Sequence, residues 1–182
     1  MAFASSCYRS CRRPDPADSS MGNFDWMETM NGFSSPNKWG LAFHHLGLAA
    51  KDPEAATRFL TGLGYRIGPM IFDPLQNVNA AMCAHDQMPD VEVISAADGE
   101  GPLDKLLSTQ KTGLVYHICY TSADLDRSLD ALEGDGQLSV YSISPPKKAI
   151  LFGGKRVSFY LVEGIGLIEI IDEAPRFDDF GS

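Results

Sequence analysis

A short stretch that opens the predicted folded part of this chain occurs twice, and the second copy follows the first by 72 residues. The first copy runs from Phe43 to Asp52 and the second from Tyr116 to Asp124. When the two copies are aligned with this offset, residues of the same type coincide. The aligned pairs are His45 and His117, Asp52 and Asp124, Gly62 and Gly134, and Gly64 and Gly136. Each copy is typical of an apolar strand with one histidine, an aspartate-capped amphipathic helix and a glycine stop. The chain is therefore predicted to be an internal duplication.

Each copy also has a late strand in which one carboxylate interrupts a run of aliphatic residues. These strands are Val91-Glu92-Val93-Ile94 and Ile168-Glu169-Ile170-Ile171. The order of elements predicts two β-α-β-β-β modules, at about 41–108 and 113–172. Sequential antiparallel strands curl, and two such modules side by side form one curved, mostly antiparallel sheet with a concave face. Residues Pro69 to Asn77 are predicted to form a loop, and the strand Leu138 to Ile143 is predicted to end before a break at Pro145 and Pro146. The predicted fold class is α+β.

The repeated histidines and glutamates predict one metal site shared by the two modules. A lone carboxylate among aliphatic residues is costly to bury unless it is paired or bound to a cation. One such acid could face solvent on an edge strand, but here both the acid and the histidine are duplicated. Two imidazoles and two carboxylates suit a divalent ion such as Co, Ni, Mn, Fe or Zn. The predicted ligands, which require a register that turns them all to the concave face, are His45, Glu92, His117 and Glu169.

Two further histidines are weaker candidates. His44 is next to His45, and adjacent residues of a strand point to opposite faces, so only one of the two can be a ligand. The repeat selects His45, because Tyr116 stands before His117 where His44 stands before His45. His85 falls in a predicted loop and is expected at the surface.

The composition narrows the function classes. A net charge of −9 and a pI near 4.8 argue against nucleic acid as a partner, because phosphate backbones favour clustered Lys and Arg. No run of 18 apolar residues occurs, so no membrane span is predicted. Cys83 and Cys119 lie in apolar, strand-like runs, as expected for reduced and buried thiols. A cytoplasmic protein is therefore predicted.

The two ends of the chain differ from its middle. Residues 1–38 are rich in Ser, Pro, Asn, Asp and Gly and lack a sustained period, which predicts a disordered leader or a start at Met21. The domain itself is predicted over 39–174, followed by a mobile acidic tail at 175–182. Cys7 and Cys11 could share a helix face with a metal, but no other ligand type lies near them.

The ligand-bearing strands resemble the metal-binding strands of the vicinal oxygen chelate superfamily, which includes glyoxalase I, extradiol dioxygenases, fosfomycin and bleomycin resistance proteins and methylmalonyl-CoA epimerase. The resemblance spans about 42–172, and its segments are His45-Leu46-Gly47-Leu48-Ala49, Val91-Glu92-Val93, Tyr116-His117-Ile118 and Leu167-Ile168-Glu169-Ile170. The epimerase branch is the most similar. The segment from Gly113 to His117 is one residue longer than the spacing usual there.

The resemblance implies a metal that binds two neighbouring oxygens of a small oxo-acid or acyl thioester and stabilises an enolate. It implies a carboxylate base, either the last ligand, here Glu169, or an acid on the third strand of the first module. That strand, Gln76 to Met82, contains no acid. Glu169 is therefore the expected proton shuttle, and an isomerisation with an unusual base or a different chelate reaction is equally open.

Four basic residues lie within ten positions of this acidic chain, around a Gly-Gly turn. They are Lys147, Lys148, Lys155 and Arg156. One interpretation is a solvated turn, because Lys often occupies exposed loops and strand edges. The other is a receptor for a phosphate, CoA or carboxylate part of the substrate. The expected partners are a small-molecule substrate, including a CoA thioester, and a second copy of the chain in a homodimer.

Three functions of different class remain open from the sequence. The first is the metal-dependent isomerase or epimerase-like enzyme, and the second is a metal-free binding module of the resistance-protein type. Glu92 and Glu169 favour the enzyme, since a binding module does not need two acids on apolar strands. The third, a glyoxalase I-like lyase, is disfavoured because such enzymes commonly build the site between two chains, whereas this repeat can supply four ligands alone.

Overall fold

The computed structural model describes residues 37–173, and over that range the chain forms nine strands, three α-helices and one short 3₁₀ helix. The leader predicted over 1–38 lies outside this range except for its last two residues, and so do Cys7, Cys11, Met21 and the tail predicted at 175–182. The strands are β1 Leu41–Ala49, β2 Arg66–Ile67, β3 Ile71–Asp73, β4 Val78–Ala84, β5 Val91–Ala96, β6 Leu114–Ser122, β7 Val140–Lys148, β8 Arg156–Val162 and β9 Gly166–Asp172. The helices are α1 Pro53–Gly62, α2 Pro102–Ser108 and α3 Leu125–Glu133, and the 3₁₀ helix is Ile150–Phe152.

All nine described strands belong to one sheet. Its order is β2-β4-β5-β1-β6-β9-β8-β7, and β3 pairs with β4 beside this path. The first-half and second-half strands meet where β1 pairs antiparallel with β6. Within each half one pairing is parallel, β1 with β5 and β6 with β9, and the other pairings are antiparallel. The α+β fold with a curved, mostly antiparallel sheet is confirmed.

The helix starts follow from local chemistry. The carboxylate of Asp52 accepts a hydrogen bond from the backbone N–H of Ala55 at 2.9 Å, and Pro53 occupies the first helical position of α1. The carboxylate of Asp124 accepts from the N–H of Arg127 at 3.1 Å at the start of α3. Both bonds satisfy amides that a helix leaves without partners in its first turn. The aspartates of the repeat therefore set the two equivalent helix starts.

The side chains of β5 and β9 point alternately to the two faces of the sheet. Val91 and Val93 of β5 pack with Leu60 of α1, and Ile168 and Ile170 of β9 pack with Leu125 of α3. Burying one such aliphatic side chain stabilises the fold by about 1.5–3 kcal/mol. Because neighbouring strand residues point to opposite faces, Glu92 and Glu169 are turned away from these helices. The helix packing thus fixes the face on which both carboxylates lie.

Two details of the predicted strands were wrong. The loop predicted between Pro69 and Asn77 contains the short strand β3, which pairs with β4. The prolines at 145 and 146 were expected to break the chain, yet β7 continues through them to Lys148 with two shifts of register against β8. Strand β7 is an edge of the sheet, where a residue without an N–H is tolerated because its outer side has no partner strand. None of the described helices is long and apolar enough to cross a membrane.

Candidate metal centre

The pairing of the four central strands brings the predicted ligands together. Glu92 of β5 and His117 of β6 both lie opposite Gly47 of β1. His45 of β1 and Glu169 of β9 both lie opposite Cys119 of β6. The site thus consists of two neighbouring rows of paired residues across the sheet. In each row one histidine and one glutamate flank a small residue, which is Gly47 in the first row and Cys119 in the second. This arrangement follows from the duplication, since β1 with β5 and β6 with β9 are equivalent pairs.

All four side chains are buried and their polar tips converge. The Nε2 atom of His45 is 3.3 Å from Oε2 of Glu92 and 3.5 Å from Oε2 of Glu169. The Nε2 atom of His117 is 3.6 Å and 3.4 Å from the same two oxygens. The two Nε2 atoms are 3.4 Å apart. The structure therefore brings together every residue that the sequence predicted as a ligand.

These separations suit a single small cation. Four donors at the corners of a regular tetrahedron with edges near 3.4 Å would lie about 2.1 Å from its centre, which is the length of zinc bonds to imidazole and carboxylate. The Oε2 atom of Glu169 is buried without a hydrogen-bond partner. A buried acceptor without a partner is costly, and a cation would remove that cost. The donor set therefore fits a divalent metal, with both imidazoles offering Nε2.

Burial favours the neutral forms of two of the four side chains, His117 and Glu169. Burial, and secondarily the neighbouring charge of Glu92, raises the pKa of Glu169 to about 8. Burial, and secondarily His45, lowers the pKa of His117 to about 3. Burial and the charge of Glu169 raise the pKa of the Cys119 thiol, which donates a hydrogen bond to the carbonyl oxygen of Tyr120 at 3.6 Å. Cys119 is therefore a neutral neighbour of the site rather than a thiolate.

A β-bulge changes the expected direction of His44. The register of β1 against β6 shifts between Phe43 and His45, so the alternation of faces is interrupted at His44. Its Nδ1 atom lies 2.7 Å from Nδ1 of His45, and both rings contact Phe152. The expectation that His44 points to the opposite face was wrong for this reason. His44 is an immediate neighbour of His45 on the side opposite the four converging donors.

The second module has the same irregularity at the equivalent place. The register shifts again between Gly47 and Leu48, which leaves Tyr116 of β6 unpaired beside His117. The phenol of Tyr116 lines the cavity above the donors, and burial together with Glu92 and Glu169 raises its pKa well above the ordinary value. The Nδ1 atom of His117, unlike that of His45, is buried without a hydrogen-bond partner. The two histidines thus occupy equivalent positions but differ in the surroundings of Nδ1, which contacts His44 in the case of His45 and has no hydrogen-bond partner in the case of His117.

A cavity of about 490 Å³ opens over the donors, and residues of both halves line it. Its walls are largely apolar and include Leu103, Leu106, Leu151 and Phe152. Strand β4 contributes Val78 and Ala80 to the wall, so that strand offers no acid or base to the cavity. These wall residues were not predicted from the sequence, because a leucine in a short amphipathic helix or in a turn gives no indication that it lines a binding cavity.

The four basic residues around the Gly-Gly turn take different places. Lys147 lies at the exposed rim of the cavity, whereas Lys148, its neighbour on β7, does not line it. The Nζ atom of Lys155 is 2.8 Å from a carboxylate oxygen of Glu173, and the guanidinium of Arg156 is 2.7 Å from one of Asp172. His85 is half-buried, and its Nδ1 accepts hydrogen bonds from the N–H groups of Gln87 and Met88.

Fold and site together define a class: proteins of two modules in one sheet, each a strand, a helix and three or four further strands, with two histidines and two glutamates converging where the modules meet. The chain belongs to the glyoxalase/bleomycin resistance protein/dioxygenase superfamily, whose family model matches residues 44–158. The resemblance seen in the sequence is thereby confirmed. No curated protein sequence matches the chain.

Solved structures share the fold at low sequence identity. The methylmalonyl-CoA epimerase from Mycobacterium tuberculosis is 18% identical, with a TM-score of 0.60 over 76% of this chain and 91% of that one. A variant of the methylmalonyl-CoA epimerase from Streptomyces coelicolor is 21% identical, with a TM-score of 0.57 over 74% of this chain and 99% of that one. A hypothetical protein from Bacillus halodurans C-125 is 20% identical, with a TM-score of 0.60 over 75% and 96% of the two chains.

Proposed function

We propose that this protein is a metal-dependent, epimerase-like isomerase that binds two adjacent oxygens of a small oxo-acid or acyl thioester. The observation that carries the proposal is the convergence of four buried donors beneath a largely apolar cavity. We assign the cation to His45, Glu92, His117 and Glu169, with Co, Mn, Ni, Fe and Zn as candidates. Such an ion, when bound, would supply the positive charge that stabilises an enolate oxygen.

The chain's own groups have separate tasks in this proposal. Glu169 removes and returns the proton next to the carbonyl, because its carboxylate lines the cavity and also belongs to the donor set. Asp73 lines the cavity as well, but its two oxygens accept hydrogen bonds from the N–H groups of Leu75, Gln76 and Ile150. It is therefore engaged in holding the turn after β3 against the 3₁₀ helix.

The apolar walls and the buried base exclude water from the reacting carbon, which protects an enolate from protonation by solvent.

An acyl thioester as one substrate class is supported by the neighbours: the Streptomyces coelicolor epimerase was solved with 2-nitronate-propionyl-CoA. Lys147 at the rim is the proposed contact for an anionic group of the substrate. Lys148, Lys155 and Arg156 are assigned to a more distant part of a longer ligand. The cytoplasmic location and the homodimer stay predictions.

The proposal is tested by metal analysis and proton exchange. Protein purified without chelator should contain, or take up, about one Co, Mn or Ni per chain. In D₂O this protein should exchange the proton next to the carbonyl of an acyl-CoA or a 2-oxo acid, followed by NMR. Glu169→Gln should retain most of the metal but exchange about 10²- to 10⁴-fold more slowly, since a general base is lost. His117→Ala should lose metal and exchange together.

Glu163→Gln is the matched control, since Glu163 is exposed and does not line the cavity. It should behave as the unchanged protein in both measurements. A protein that takes up none of the five candidate metals would contradict the proposal and favour the metal-free binding module. Exchange at the unchanged rate by metal-loaded Glu169→Gln would show that another residue is the base. A lyase of the glyoxalase I type would instead turn over a thiohemiacetal of glutathione.

A further inference from the structure

The charges that line the cavity restrict what a substrate can carry. Besides Glu92, His117 and Glu169, the three proposed ligands that line the cavity, the described polar residues of its wall are Asp73, Gln76, Tyr116, Ser144 and Lys147. Asp73 is engaged in backbone hydrogen bonds, and Gln76, Tyr116 and Ser144 offer neutral groups. Lys147 is therefore the one cationic side chain in the described wall of the cavity. In the proposed function the two glutamates balance the charge of the divalent cation, so a single lysine can balance one carboxylate of a ligand but not two.

The other basic residues of the turn do not bring a second positive charge into the cavity wall. Lys155 and Arg156 are already paired with Glu173 and Asp172, and Arg156 is bound to a carboxylate that is itself buried. Lys148 is exposed and lies outside the cavity wall. A second carboxylate on the substrate would thus enter an apolar space that already contains two glutamates, and burying an unpaired charge there is costly.

The rest of the wall favours an apolar group of substantial size. Fourteen of the 22 lining residues are aliphatic, phenylalanine or proline, and they come from both halves of the sheet, from α2 and from the 3₁₀ helix. A cavity of about 490 Å³ is within the range of small-molecule sites and far exceeds the space of a methyl group. Transfer of each additional methylene from water into such a wall strengthens binding by a factor of about four.

We infer that the substrate is a monoanionic 2-oxo acid, or a close relative with two vicinal oxygens, that carries a branched-alkyl or aryl group rather than a second carboxylate. This inference rests on the proposed function, because it takes the four donors as the site of the two oxygens. The oxo oxygen and one carboxylate oxygen lie at the four donors, the second carboxylate oxygen lies towards Lys147, and the apolar group packs among Leu103, Leu106 and Leu151.

The test compares three probes of one chemical type: pyruvate, oxaloacetate and 4-methyl-2-oxopentanoate. Binding is measured by calorimetry with Co²⁺-loaded protein and again after chelation. The branched acid should bind about 10- to 50-fold more tightly than pyruvate, since it buries three further carbons. Oxaloacetate should bind no more tightly than pyruvate. Equal affinity for all three probes, or the tightest binding for oxaloacetate, would overturn the inference.

A pair of leucine variants locates the apolar contact. Leu106→Gln changes a half-buried wall residue and should reduce the preference for the branched acid over pyruvate by about tenfold, with pyruvate binding unchanged. Leu161→Gln is the matched control, because Leu161 is exposed and outside the cavity. Equal preference in both variants, with thermal unfolding unchanged, would contradict the assignment of the apolar group to this wall.

The two proposals fail in distinguishable ways. If the protein prefers the branched acid but takes up no metal and exchanges no protons, the enzyme proposal fails. The inference about the branched acid then holds for a ligand rather than a substrate. If metal-loaded protein exchanges the proton of methylmalonyl-CoA or oxaloacetate faster than that of the branched acid, the enzyme proposal stands and this inference is overturned.

Discussion

At the scale of single residues, Gly47 decides whether the His117 ring can occupy its place. A Cβ atom added to Gly47 would lie 2.2 Å from Cε1 and 2.3 Å from Nε2 of that ring. The backbone of Gly47 is not in the left-handed region, so space alone requires the glycine. The close approach follows from the register, which sets the two residues opposite each other.

Gly47→Ala is therefore expected to displace His117 and to destabilise the protein by about 1–3 kcal/mol, as overpacking typically does. Bound metal should fall well below one per chain. Gly62→Ala is the control, because a Cβ there meets nothing within 4 Å and alanine favours a helix over glycine. Chemical denaturation and metal analysis give both readouts. Full metal content in Gly47→Ala would contradict the proposed role of His117.

The contact between His44 and His45 makes a second prediction. Two Nδ1 atoms 2.7 Å apart share one proton, and a His45 that ligates through Nε2 has to carry it on Nδ1. The Nδ1 atom of His44 then accepts a hydrogen bond from the Nδ1–H of His45, consistent with the lowering of the pKa of His44 by burial and by His45. His44→Leu should weaken metal binding by about 10- to 100-fold, as losses of ligand-orienting hydrogen bonds do.

His44→Asn should recover part of this loss, because its amide oxygen can accept the same hydrogen bond. The direct measurement is the ¹⁵N chemical shift of the His45 ring nitrogens in chelator-treated protein. A single tautomer protonated at Nδ1 is expected in the unchanged protein, and a mixture in His44→Leu. The same tautomer in both proteins would show that His44 does not orient His45.

At the scale of elements, strand β7 presents adjacent lysines to different surroundings. Lys147 lines the cavity rim and Lys148 does not, which makes them a matched pair. Lys147→Gln should weaken binding of a 2-oxo acid by about 10-fold through loss of a charged hydrogen bond, and Lys148→Gln should leave it unchanged. Calorimetry with 4-methyl-2-oxopentanoate distinguishes them. Equal effects of the two substitutions would show that the overall charge of the protein, rather than a direct contact with Lys147, determines the affinity.

The elements also show which parts of the fold a sequence can predict. The duplicated His45 and His117 and the period-2 strands around Glu92 and Glu169 predict the modules, the sheet and the convergence of four side chains. The bulges at His44 and Tyr116 could not be predicted, because an extra residue in a strand depends on how the partner strand aligns.

The cavity walls were missed for a related reason. Leu103, Leu106 and Leu151 are ordinary amphipathic residues in the sequence, and only the tertiary packing turns them towards the same space. Strand β7 was ended too early because proline was interpreted without knowing that the strand lies at an edge. Neighbouring strands, rather than local propensity, decide these features.

At the scale of the whole molecule, the buried ionisable groups predict how stability depends on pH after chelation. His117 titrates near pH 3 in the folded chain and 6.5 when unfolded, so stability is lost as the pH falls through this interval. Glu169 titrates near pH 8 when folded and 4.5 when unfolded, so stability is lost as the pH rises through that interval. The free energy of unfolding should therefore be greatest between about pH 4.5 and 6.5.

Thermal unfolding between about pH 4 and pH 8.5 checks this profile. Glu169→Gln should remove the loss on the alkaline side, because the amide does not ionise. Addition of Co²⁺ or Zn²⁺ should raise the melting temperature most near pH 8, where the ion offsets two carboxylates. An unchanged melting temperature between about pH 5 and pH 8 in chelated protein would contradict the raised pKa of Glu169 that burial, and secondarily Glu92, produces.

The prolines of β7 have a consequence for how copies of this protein meet. An exposed edge strand normally invites another chain to extend the sheet, and this route leads to fibres as well as to dimers. Pro145 and Pro146 have no backbone N–H to donate, and Lys147 and Lys148 add like charges beside them. Continuous sheet extension along this side is therefore blocked, and at high concentration the β7 edge is expected to resist fibrillation.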